Sequence, residues 1–289
     1  MEKIAVTGAT GFIGSHLVNK LKEEGFKVNV LVRNKSQKTK KGVFYGDLVK
    51  NRGLESFLKG VKVVVNLVGG YHPPFKNQLE TNALVLNSLS EVAVKAGVKK
   101  IIHISSSAVY GSRPQNGLFT EKNKANPDTL YGLSKYFSEE IASYYYKNYG
   151  LNFIILRPSN VYGPGNEDGV IYRFAKSIKE KGFVEVFGEG KNLRDYLFVD
   201  DMVNVIVKAI KFDCKFEVFN VGLGKAYSLL AVVRLFERVF GRRVKIQYKK
   251  ELAKTSYLIA SNVNKAIKLL KWQPKHSLEE GLRITLSQI

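Results

Sequence analysis

Short apolar runs alternate with amphipathic segments along the first half of the chain. The runs have the length of strands, and the segments between them place apolar residues at helical spacing. Continuous apolar strands that alternate with helices are typical of a parallel sheet covered on both faces, so we predict a doubly wound α/β fold. The predicted strands are Ile4–Thr7, Val28–Val32, Val43–Tyr45, Val61–Asn66, Lys100–Ser105 and Asn152–Leu156, and the predicted helices are Phe12–Glu24, Leu54–Leu58, Asn77–Ala96 and Leu130–Tyr149.

The pattern changes after Pro158, where a glycine-rich loop is followed by irregularly spaced helices and short strands. We predict a core over residues 1–160, to which elements near residues 194–221 return. Residues 161–193 and 222–289 are predicted to form a smaller C-terminal lobe that binds the substrate. The chain shows no internal repeat and no low-complexity stretch.

The composition is that of a globular protein with an unusual charge. The 289 residues include 46 Lys and Arg against 25 Asp and Glu, a net charge of +21 that favours an anionic partner. The lone Cys214 excludes an internal disulfide, and the four histidines lack metal-binding spacing, so no metal is expected. With no leader and no apolar run long enough for a bilayer, we expect a cytoplasmic protein with no membrane partner.

Three glycines, Gly8, Gly11 and Gly14, stand between the first predicted strand and the first predicted helix. In such a turn the first allows a tight bend, the second lets the backbone approach a pyrophosphate, and the third allows close packing of helix on strand. The helix N-terminus then offers free N–H groups to phosphate. A glycine-rich turn can also simply connect two elements, but within a βαβ unit it predicts a Rossmann-type, dinucleotide-binding sheet.

The end of the second predicted strand indicates which dinucleotide is bound. An acid there would bond the ribose 2′-hydroxyl of NAD, whereas an arginine accommodates the 2′-phosphate of NADP. The chain has Arg33 and no acid at this point, and several lysines follow. Arg33 therefore favours NADP, and the alternative is that this segment is a solvated basic loop.

Candidate catalytic residues follow the fifth predicted strand. Serines end that strand, where ligands bind in open α/β sheets, and Tyr131 and Lys135 stand four residues apart on one face of a predicted helix. A phenol with a pKa of about 10 is a poor base at neutral pH, but a nearby ammonium favours the phenolate. A serine hydroxyl can then align an alcohol or carbonyl for hydride transfer. The alternative is an ordinary tyrosine–lysine pair on a surface helix.

Five motifs occur in order along the chain: TGATGFIG, SSSAVYG, YGLSK, LRPSNVYGPG and RDYLFVDD. They resemble those of the extended short-chain dehydrogenase/reductase superfamily, specifically its NAD(P)-dependent sugar epimerase/dehydratase family, over nearly the whole chain. The resemblance implies Ser106, Tyr131 and Lys135 as the catalytic residues, because Ser106 precedes Tyr110 as in the family's pattern. Ser107 is implied as a further substrate contact.

The resemblance also implies residues that bind the cofactor and the substrate. The cofactor-binding set is Gly8, Gly11, Phe12, Ile13, Gly14, Arg33, Asp47, Leu48, Leu67, Val68, Gly69, Asn82, Tyr131, Lys135 and Pro158. The substrate-binding set is Ser106, Ser107, Tyr131, Asn160, Phe187 and Arg194, with Asn160 near the diphosphate, Phe187 near the base and Arg194 on phosphate. A purely structural role is the alternative for some of these residues, since Asp47 could cap a turn and Pro158 could end a strand.

Two further expectations concern the surface of the protein. The helices Asn77–Ala96 and Leu130–Tyr149 correspond to those that form the dimer interface in the superfamily, so the resemblance implies a homodimer. His72, in the loop Gly70–Pro74, is a candidate to face the substrate from that loop.

Two departures from the family's pattern limit the reactions that we expect. Sugar dehydratases of the superfamily carry T-D-E where this chain has Ser106-Ser107-Ala108, and without that carboxylate we do not expect dehydration. The family's R-P-G-D clamp for phosphate and ribose falls at Leu252–Thr255, where both charged residues are missing. Lys250 or Lys254 could substitute as point charges.

Three hypotheses remain open. The first is an NAD(P)-dependent nucleotide-sugar epimerase, a 4-epimerase of a UDP-hexose that acts by transient oxidation and needs only NAD. The second is an NADP-dependent reductase or dehydrogenase of a non-nucleotide carbonyl or alcohol, favoured by Arg33 and the missing clamp. The third, a nucleic-acid-binding or nucleotide-sensing protein, rests on the charge alone. A Ser–Tyr–Lys set argues against it, so we expect no nucleic-acid partner.

Overall fold

The computed structural model describes residues 2–33, 41–112, 117–250 and 258–288. In this part of the chain the predicted alternation of strands and helices is present, and the strands gather into one main sheet. The strands of that sheet are β1 (Lys3–Thr7), β2 (Lys27–Val32), β3 (Val43–Tyr45), β4 (Val63–Asn66), β5 (Lys100–Ile104), β6 (Asn152–Pro158) and β10 (Phe216–Val221).

The main sheet has the strand order β10-β6-β5-β4-β1-β2-β3, and every neighbouring pair in it is parallel. This is the order of the doubly wound dinucleotide-binding folds, so the predicted fold class is confirmed. The order reverses between β1 and β4, where Thr7 pairs with Asn66 at the carboxyl ends of the strands. Ligands bind in the crevice at such a reversal.

Helices cover both faces of the main sheet. One face carries α1 (Phe12–Glu23), α7 (Val199–Lys211) and α9 (Asn264–Leu270), and the other carries α2 (Leu54–Leu58), α4 (Val85–Lys95) and α5 (Leu130–Tyr149). The α1 side chains Leu17 and Leu21 are fully buried against sheet residues such as Ile4, because a helical spacing of four puts them on one face. Among the helices of the described residues, none is long and apolar enough to cross a bilayer.

The long helix predicted over Asn77–Ala96 is interrupted. The structure has α3 (Phe75–Leu79), a π-helical turn at Glu80–Leu84, and then α4. Within the π turn Asn82 is buried, and its side-chain amide bonds the backbone of Gly70 rather than water. The prediction of one regular helix was therefore wrong, because apolar periodicity does not reveal the extra residue that a π turn accommodates.

The remaining elements form a smaller lobe at the carboxyl edge of the sheet. Its strands are β7 (Asn160–Tyr162), β8 (Phe183–Phe187), β9 (Leu193–Phe198), β11 (Ala226–Ser228), β12 (Lys245–Lys249) and β13 (Leu258–Ile259), and its helices are α6 (Val170–Lys181), α8 (Leu229–Phe240) and α10 (Leu278–Leu286). Strand β9 pairs with β7, β11 and β13 in a small sheet, whereas β12 pairs with β8. The segment 194–221 is therefore divided between the two parts. Strand β10 belongs to the main sheet and α7 packs against that sheet, whereas β9 lies in the lobe.

Candidate active site

A cavity of about 850 Å³ opens at the carboxyl ends of the main-sheet strands, between the sheet and the lobe. Both parts contribute to its wall, since the serines after β5 face Asn160 and Arg194 of the lobe strands across it. Its lining residues are Ile13, Leu67, Gly69, Tyr71, Ile104, Ser105, Ser106, Ser107, Ala108, Thr129, Tyr131, Lys135, Pro158, Ser159, Asn160, Val161 and Arg194.

A second cavity of about 270 Å³ lies on the other side of Leu67 and Gly69, which line both. It is bounded by Gly8, Thr10, Gly11, Leu31, Val32, Arg33, Gly46, Asp47, Leu48, Val49, Leu67, Val68, Gly69, His72, Thr81 and Val85. Together the two cavities follow the carboxyl edge of the sheet across the point where the strand order reverses, which suits an extended two-part ligand.

The glycine-rich turn leaves no room for side chains. Gly8 has φ 70°, and a Cβ there would meet the carbonyl carbon of Leu67 at 2.9 Å. A Cβ on Gly14 would lie 2.1 Å from the Gly8 carbonyl oxygen, so helix α1 packs directly on the turn. Gly11 is the N-cap of α1, and neither a side-chain cap nor an acidic residue occupies that first turn. The helix N-terminus therefore suits a diphosphate, as the sequence predicts.

Phe12 and Ile13, which follow Gly11 in the glycine-rich turn, have different environments. Ile13 lines the larger cavity. Phe12 is absent from both linings and packs edge-on against His16 and against the core of the lobe. Of this pair, the structure thus brings only Ile13 to the predicted cofactor region.

The smaller cavity contains the residues predicted to hold the adenosine half. Arg33 is exposed at the end of β2, and Leu48 is buried. Asp47 accepts hydrogen bonds from the backbone of Val49 at 2.9 Å and Lys50 at 3.1 Å. The turn-capping alternative for Asp47 is therefore present, and the same carboxylate lines the cavity.

Ser106 and Tyr131 meet on the wall of the larger cavity. The phenol of Tyr131 is hydrogen-bonded to the Ser106 hydroxyl; burial raises the pKa of Tyr131, and this bond opposes the shift. The Ser106 hydroxyl also accepts the backbone N–H of Ala108 at 3.1 Å, which fixes the serine at the start of a short 3₁₀ turn. Helix α5 holds Tyr131 in its first turn after the N-cap Thr129.

Lys135 lies one turn further along α5 and is 4% exposed. Its ammonium donates to the Ile104 carbonyl at 2.9 Å, and it lies so close to Gly69 that a Cβ there would be 2.4 Å from Nζ. Burial lowers the pKa of Lys135 to about 8, against the opposing charge of Glu139. A lysine with this pKa changes its charge within the working range of an enzyme, which is typical of functional sites.

A buried charge network behind the catalytic wall was not foreseen from the sequence. Glu139 of α5 is bonded by Arg157 through two nitrogens and by the Ser105 hydroxyl, and both charged side chains are under a tenth exposed. Arg157 also donates to the Tyr110 hydroxyl at 2.8 Å. The signal that could have revealed it is a buried-strand arginine, since a buried charge needs a partner.

Asn82 connects the cofactor region to the catalytic helix. Its side chain bonds the N–H of Gly70 at 2.8 Å and the carbonyl of Gly70 at 3.0 Å, and it donates to Ser134 at 2.9 Å. Ser134 in turn donates to the Tyr131 carbonyl at 2.8 Å. The hydrogen-bonding groups of the Asn82 side chain are therefore occupied by protein partners, and they link the loop at Gly70 to α5.

The predicted substrate contacts divide into two groups. Ser107, Asn160 and Arg194 line the larger cavity, and so does the cofactor candidate Pro158. The Asn160 amide donates to the Asp195 carbonyl at 2.8 Å. Phe187, at the end of β8, is 54% exposed and does not line the cavity, so the structure does not place it with the others.

The loop after β4 presents a different residue from the one expected. Tyr71 lines the larger cavity and contacts Tyr131, whereas His72 lines the smaller cavity and lies against Gly70. The expectation that His72 faces the substrate side was therefore wrong. In an irregular loop neither helical nor strand periodicity predicts the side to which a given side chain points.

Comparison with known proteins agrees with this geometry. Residues 4–222 match the NAD dependent epimerase/dehydratase family, and the chain belongs to it. This membership confirms the expected class, an enzyme of the nicotinamide-dependent epimerase type, and the resemblance drawn from the five motifs.

Individual relatives resemble the chain over almost its whole length. It is 33% identical to a putative UDP-glucose 4-epimerase of Methanocaldococcus jannaschii, covering 97% of this chain and 96% of that one. The UDP-glucose 4-epimerase of Thermotoga maritima with UDP-glucose matches at a TM-score of 0.90 and 30% identity, covering 99% and 98% of the two chains. The Bacillus cereus UDP-glucuronic acid 4-epimerase with UDP-glucuronic acid and NAD matches at 0.89 and 28%, with the same coverage.

Proposed function

We propose that this chain is an NAD-dependent nucleotide-sugar epimerase, a 4-epimerase of a UDP-hexose. The observation that carries the proposal is the single cavity in which Ser106, Tyr131 and Lys135 lie beside the carboxyl ends of the sheet, next to the smaller cavity that shares Leu67 and Gly69 with it. Relatives of similar length that bind UDP-glucose or UDP-glucuronic acid support the class of substrate.

The glycine cradle supports a bound dinucleotide. Gly8, Gly11 and Gly69 line the smaller cavity without side chains, and the close packing of Gly14 on the Gly8 carbonyl holds the N-terminus of α1 beside that turn. A nicotinamide dinucleotide held here would supply reversible hydride transfer to and from C4 of the sugar, the oxidation and reduction that inversion at that carbon requires. The residues proposed to hold the cofactor are the cavity-lining members of the set predicted from the sequence.

Tyr131 is the proposed acid–base residue. As phenolate it takes the proton from the C4 hydroxyl while Ser106 donates a hydrogen bond to the same oxygen, and it gives that proton back after the sugar has turned. The Ser106 hydrogen bond opposes the rise in the pKa of Tyr131 that burial causes, and Lys135 brings a buried ammonium one turn further along the same helix. Its contacts with Ile104 and Gly69 hold the ammonium at the junction of the two cavities.

The nucleotide half of the substrate is assigned to the lobe. The Arg194 guanidinium suits the diphosphate because its planar fork can bond two oxygens at once, and Asn160 lies beside it on the neighbouring strand β7. The positions of the missing R-P-G-D clamp, Leu252–Thr255, lie outside the described residues. Phe187 remains a proposed neighbour of the base, at the outer edge of the lobe.

Arg33 supports a second candidate function. It lines the adenosine side of the smaller cavity, where a guanidinium suits the 2′-phosphate of NADP. That preference would fit a reductase of a non-nucleotide carbonyl compound. Epimerisation consumes no reducing equivalents, so a retained NAD is expected if the first proposal holds.

The decisive experiment identifies both the cofactor and the reaction. Purified protein is denatured, the released dinucleotide is identified by mass, and fresh protein is incubated with UDP-glucose, UDP-galactose or UDP-glucuronic acid while the anomeric protons are followed by NMR. We expect retained NAD and interconversion of C4 epimers. Protein free of NAD that oxidises NADPH with simple aldehydes or ketones, and leaves the UDP-sugars unchanged, contradicts the proposal and supports the reductase.

We also propose a homodimer through α4 and α5. Leu130, Phe137 and Tyr144 recur every seven residues on α5 and are 40% exposed or more, and Leu84 beside α4 is 55% exposed. An apolar stripe of this kind is typical of a helix face covered by a partner. Light scattering should give twice the mass of the chain, and Phe137→Glu should shift it toward the monomer; an unchanged monomer mass for the wild type contradicts the dimer.

We further propose that the protein is cytoplasmic and has neither nucleic-acid nor membrane partners. Support comes from the single cysteine, Cys214, because a chain with one cysteine forms no internal disulfide and needs no oxidising compartment. We propose that most of the surplus basic residues lie on the solvated surface and that a few of them bind the anionic ligands. Binding to duplex DNA that weakens steeply with salt would contradict this assignment.

A further inference from the structure

Tyr71 is an exposed aromatic residue at the wall of the catalytic cavity. Its side chain is 70% exposed, although the ring lines the cavity that holds Ser106 and Lys135. The ring centroid lies 6.4 Å from that of Tyr131, at 66° to it, an edge-to-face contact. Such contacts are favourable at centroid separations of about 4.5–7 Å. The exposed face of the Tyr71 ring is thus presented beside the proposed base.

The loop that carries Tyr71 is tied to the catalytic helix. The Asn82 amide bonds both the N–H and the carbonyl of Gly70, the residue just before the tyrosine. Asn82 bonds Ser134, and Ser134 bonds the Tyr131 carbonyl. The backbone at Gly70 is therefore coupled through two side chains to the turn of α5 that positions Tyr131.

Gly69 and Gly70 bring this loop close to its neighbours. A Cβ on Gly69 would lie 2.4 Å from the Lys135 ammonium, and one on Gly70 would lie 2.8 Å from the His72 ring. A side chain at either position would have to displace a neighbouring side chain, because the loop lies directly against the buried lysine and the His72 ring. Tyr71 follows at once and is the first aromatic residue after β4 that lines the larger cavity.

We propose that Tyr71 is a specificity-determining residue whose ring packs against the pyranose ring of the nucleotide sugar. One face of a hexopyranose presents C–H groups, and an aromatic ring that is exposed in the ligand-free site gains contact area when such a face covers it. This inference rests on the proposed function and deepens it, since it assigns the sugar half of the ligand to the Tyr71–Tyr131 wall.

The assignment separates the two halves of the ligand. Tyr71 contacts the residue that handles the sugar hydroxyl, whereas the proposed diphosphate contacts, Asn160 and Arg194, belong to strands of the lobe. A ligand that carries the nucleoside diphosphate without the sugar therefore does not reach Tyr71. Within the described residues the Tyr71 hydroxyl makes no hydrogen bond, so the ring and not the hydroxyl carries the effect.

The test compares UDP-glucose with UDP by titration calorimetry on the protein with its retained cofactor. For Tyr71→Ala we expect about threefold to tenfold weaker binding of UDP-glucose, the loss that one aromatic contact predicts, with unchanged binding of UDP. Tyr71→Phe should bind both ligands within about twofold of the wild type. Tyr248→Ala is the matched control, because Tyr248 is 59% exposed on β12 and lines neither cavity; it should change neither affinity.

Four outcomes overturn the inference. If Tyr71→Ala binds both UDP-glucose and UDP as tightly as the wild type does, Tyr71 has no role in sugar binding, and the proposed function stands. Equal weakening of UDP and UDP-glucose means that the ring does not act on the sugar. Weakening by Tyr71→Phe as large as that by Tyr71→Ala assigns the effect to the hydroxyl. Failure of the wild type to bind either ligand overturns the proposed function itself, and this inference with it.

Discussion

The two cavities that meet at Leu67 and Gly69 are built in different ways. The smaller one is shaped by backbone that follows β1, β2, β3 and β4, and its key positions are those where a side chain is impossible. The larger one depends on what side chains carry: a phenol, an ammonium, a guanidinium and hydroxyl groups. The smaller cavity is thus formed largely by the steric fit of backbone turns at successive strand ends, whereas the larger cavity depends on the chemical groups that its side chains bring together.

Their electrostatics differ in the same way. The wall of the larger cavity contains a lysine whose pKa is lowered to about 8 by burial, and behind it lies the buried Glu139–Arg157 pair. At the smaller cavity Arg33 is exposed, and the partly exposed Asp47 carboxylate accepts backbone N–H groups. Variants of the larger cavity should therefore separate activity from stability, while variants of the glycine turn should change stability and cofactor binding together.

Tyr131→Phe should have the largest effect. Without its hydroxyl the helix still packs, but the proposed proton transfer is lost, so kcat should fall by roughly 10²–10⁴ with little change in Tm. Tyr136→Phe, on the same helix, is the control and should keep nearly full activity. Near-normal turnover by Tyr131→Phe would remove Tyr131 from the mechanism.

Glu139→Gln should cause the largest loss of stability on the catalytic side. It leaves the Arg157 guanidinium, under a tenth exposed, without its counter-charge, and breaking a buried pair in this way costs roughly 3–5 kcal/mol. The control is Glu91→Gln, which removes a surface pair with Lys95 and should cost less than about 1 kcal/mol. Denaturant unfolding measures both, and equal losses would contradict the distinction.

Gly14→Ala tests the steric character of the smaller cavity. The new Cβ would lie 2.1 Å from the Gly8 carbonyl oxygen, so the turn or the helix must move, at a cost of roughly 3 kcal/mol or more. Retained dinucleotide, measured after denaturation, should fall with it. Gly97→Ala, where nothing lies within 4 Å of the new Cβ, isolates the cost of a positive φ. A similar small loss in both variants would refute the packing argument.

Lys135→Met should raise stability rather than lower it. With a pKa of about 8 in the folded protein against an ordinary value of 10.5, the buried ammonium costs stability at pH 7 and below. At about 1.4 kcal/mol per pKa unit, the free energy of unfolding of the variant should exceed that of the cofactor-free wild type by about 3.5 kcal/mol, while turnover is lost.

The sign of the pH dependence follows from proton binding. Between pH 8 and 10.5 the folded wild type has released the Lys135 proton while the unfolded chain still holds it, so wild-type stability rises there relative to the variant. The advantage of Lys135→Met should therefore be constant below pH 8 and vanish toward pH 10.5. Denaturant midpoints across this range measure the difference, and a constant or growing advantage would contradict the buried ammonium.

Much of the main sheet could be predicted from the sequence, because each strand is a continuous apolar run and each covering helix repeats its apolar residues at helical spacing. The glycine turn and the Ser–Tyr–Lys set were also readable, since both depend on residues close together in a motif. The π turn at Glu80–Leu84 was not, because its apolar pattern is that of a helix. Nor was the side to which Tyr71 and His72 point, which depends on the contacts of Gly70 with Asn82.

The sequence by itself determined the alternation of strands and helices, the glycine-rich turn after the first strand and the chemical groups that the candidate site can offer, because these follow from local spacing and residue type. Only the tertiary structure decided which groups share a cavity. It brought Arg194 across from the lobe, left Phe187 outside, and paired Glu139 with Arg157 behind the lysine. Such contacts join residues far apart in the chain, and their formation depends on how whole elements pack rather than on any local pattern.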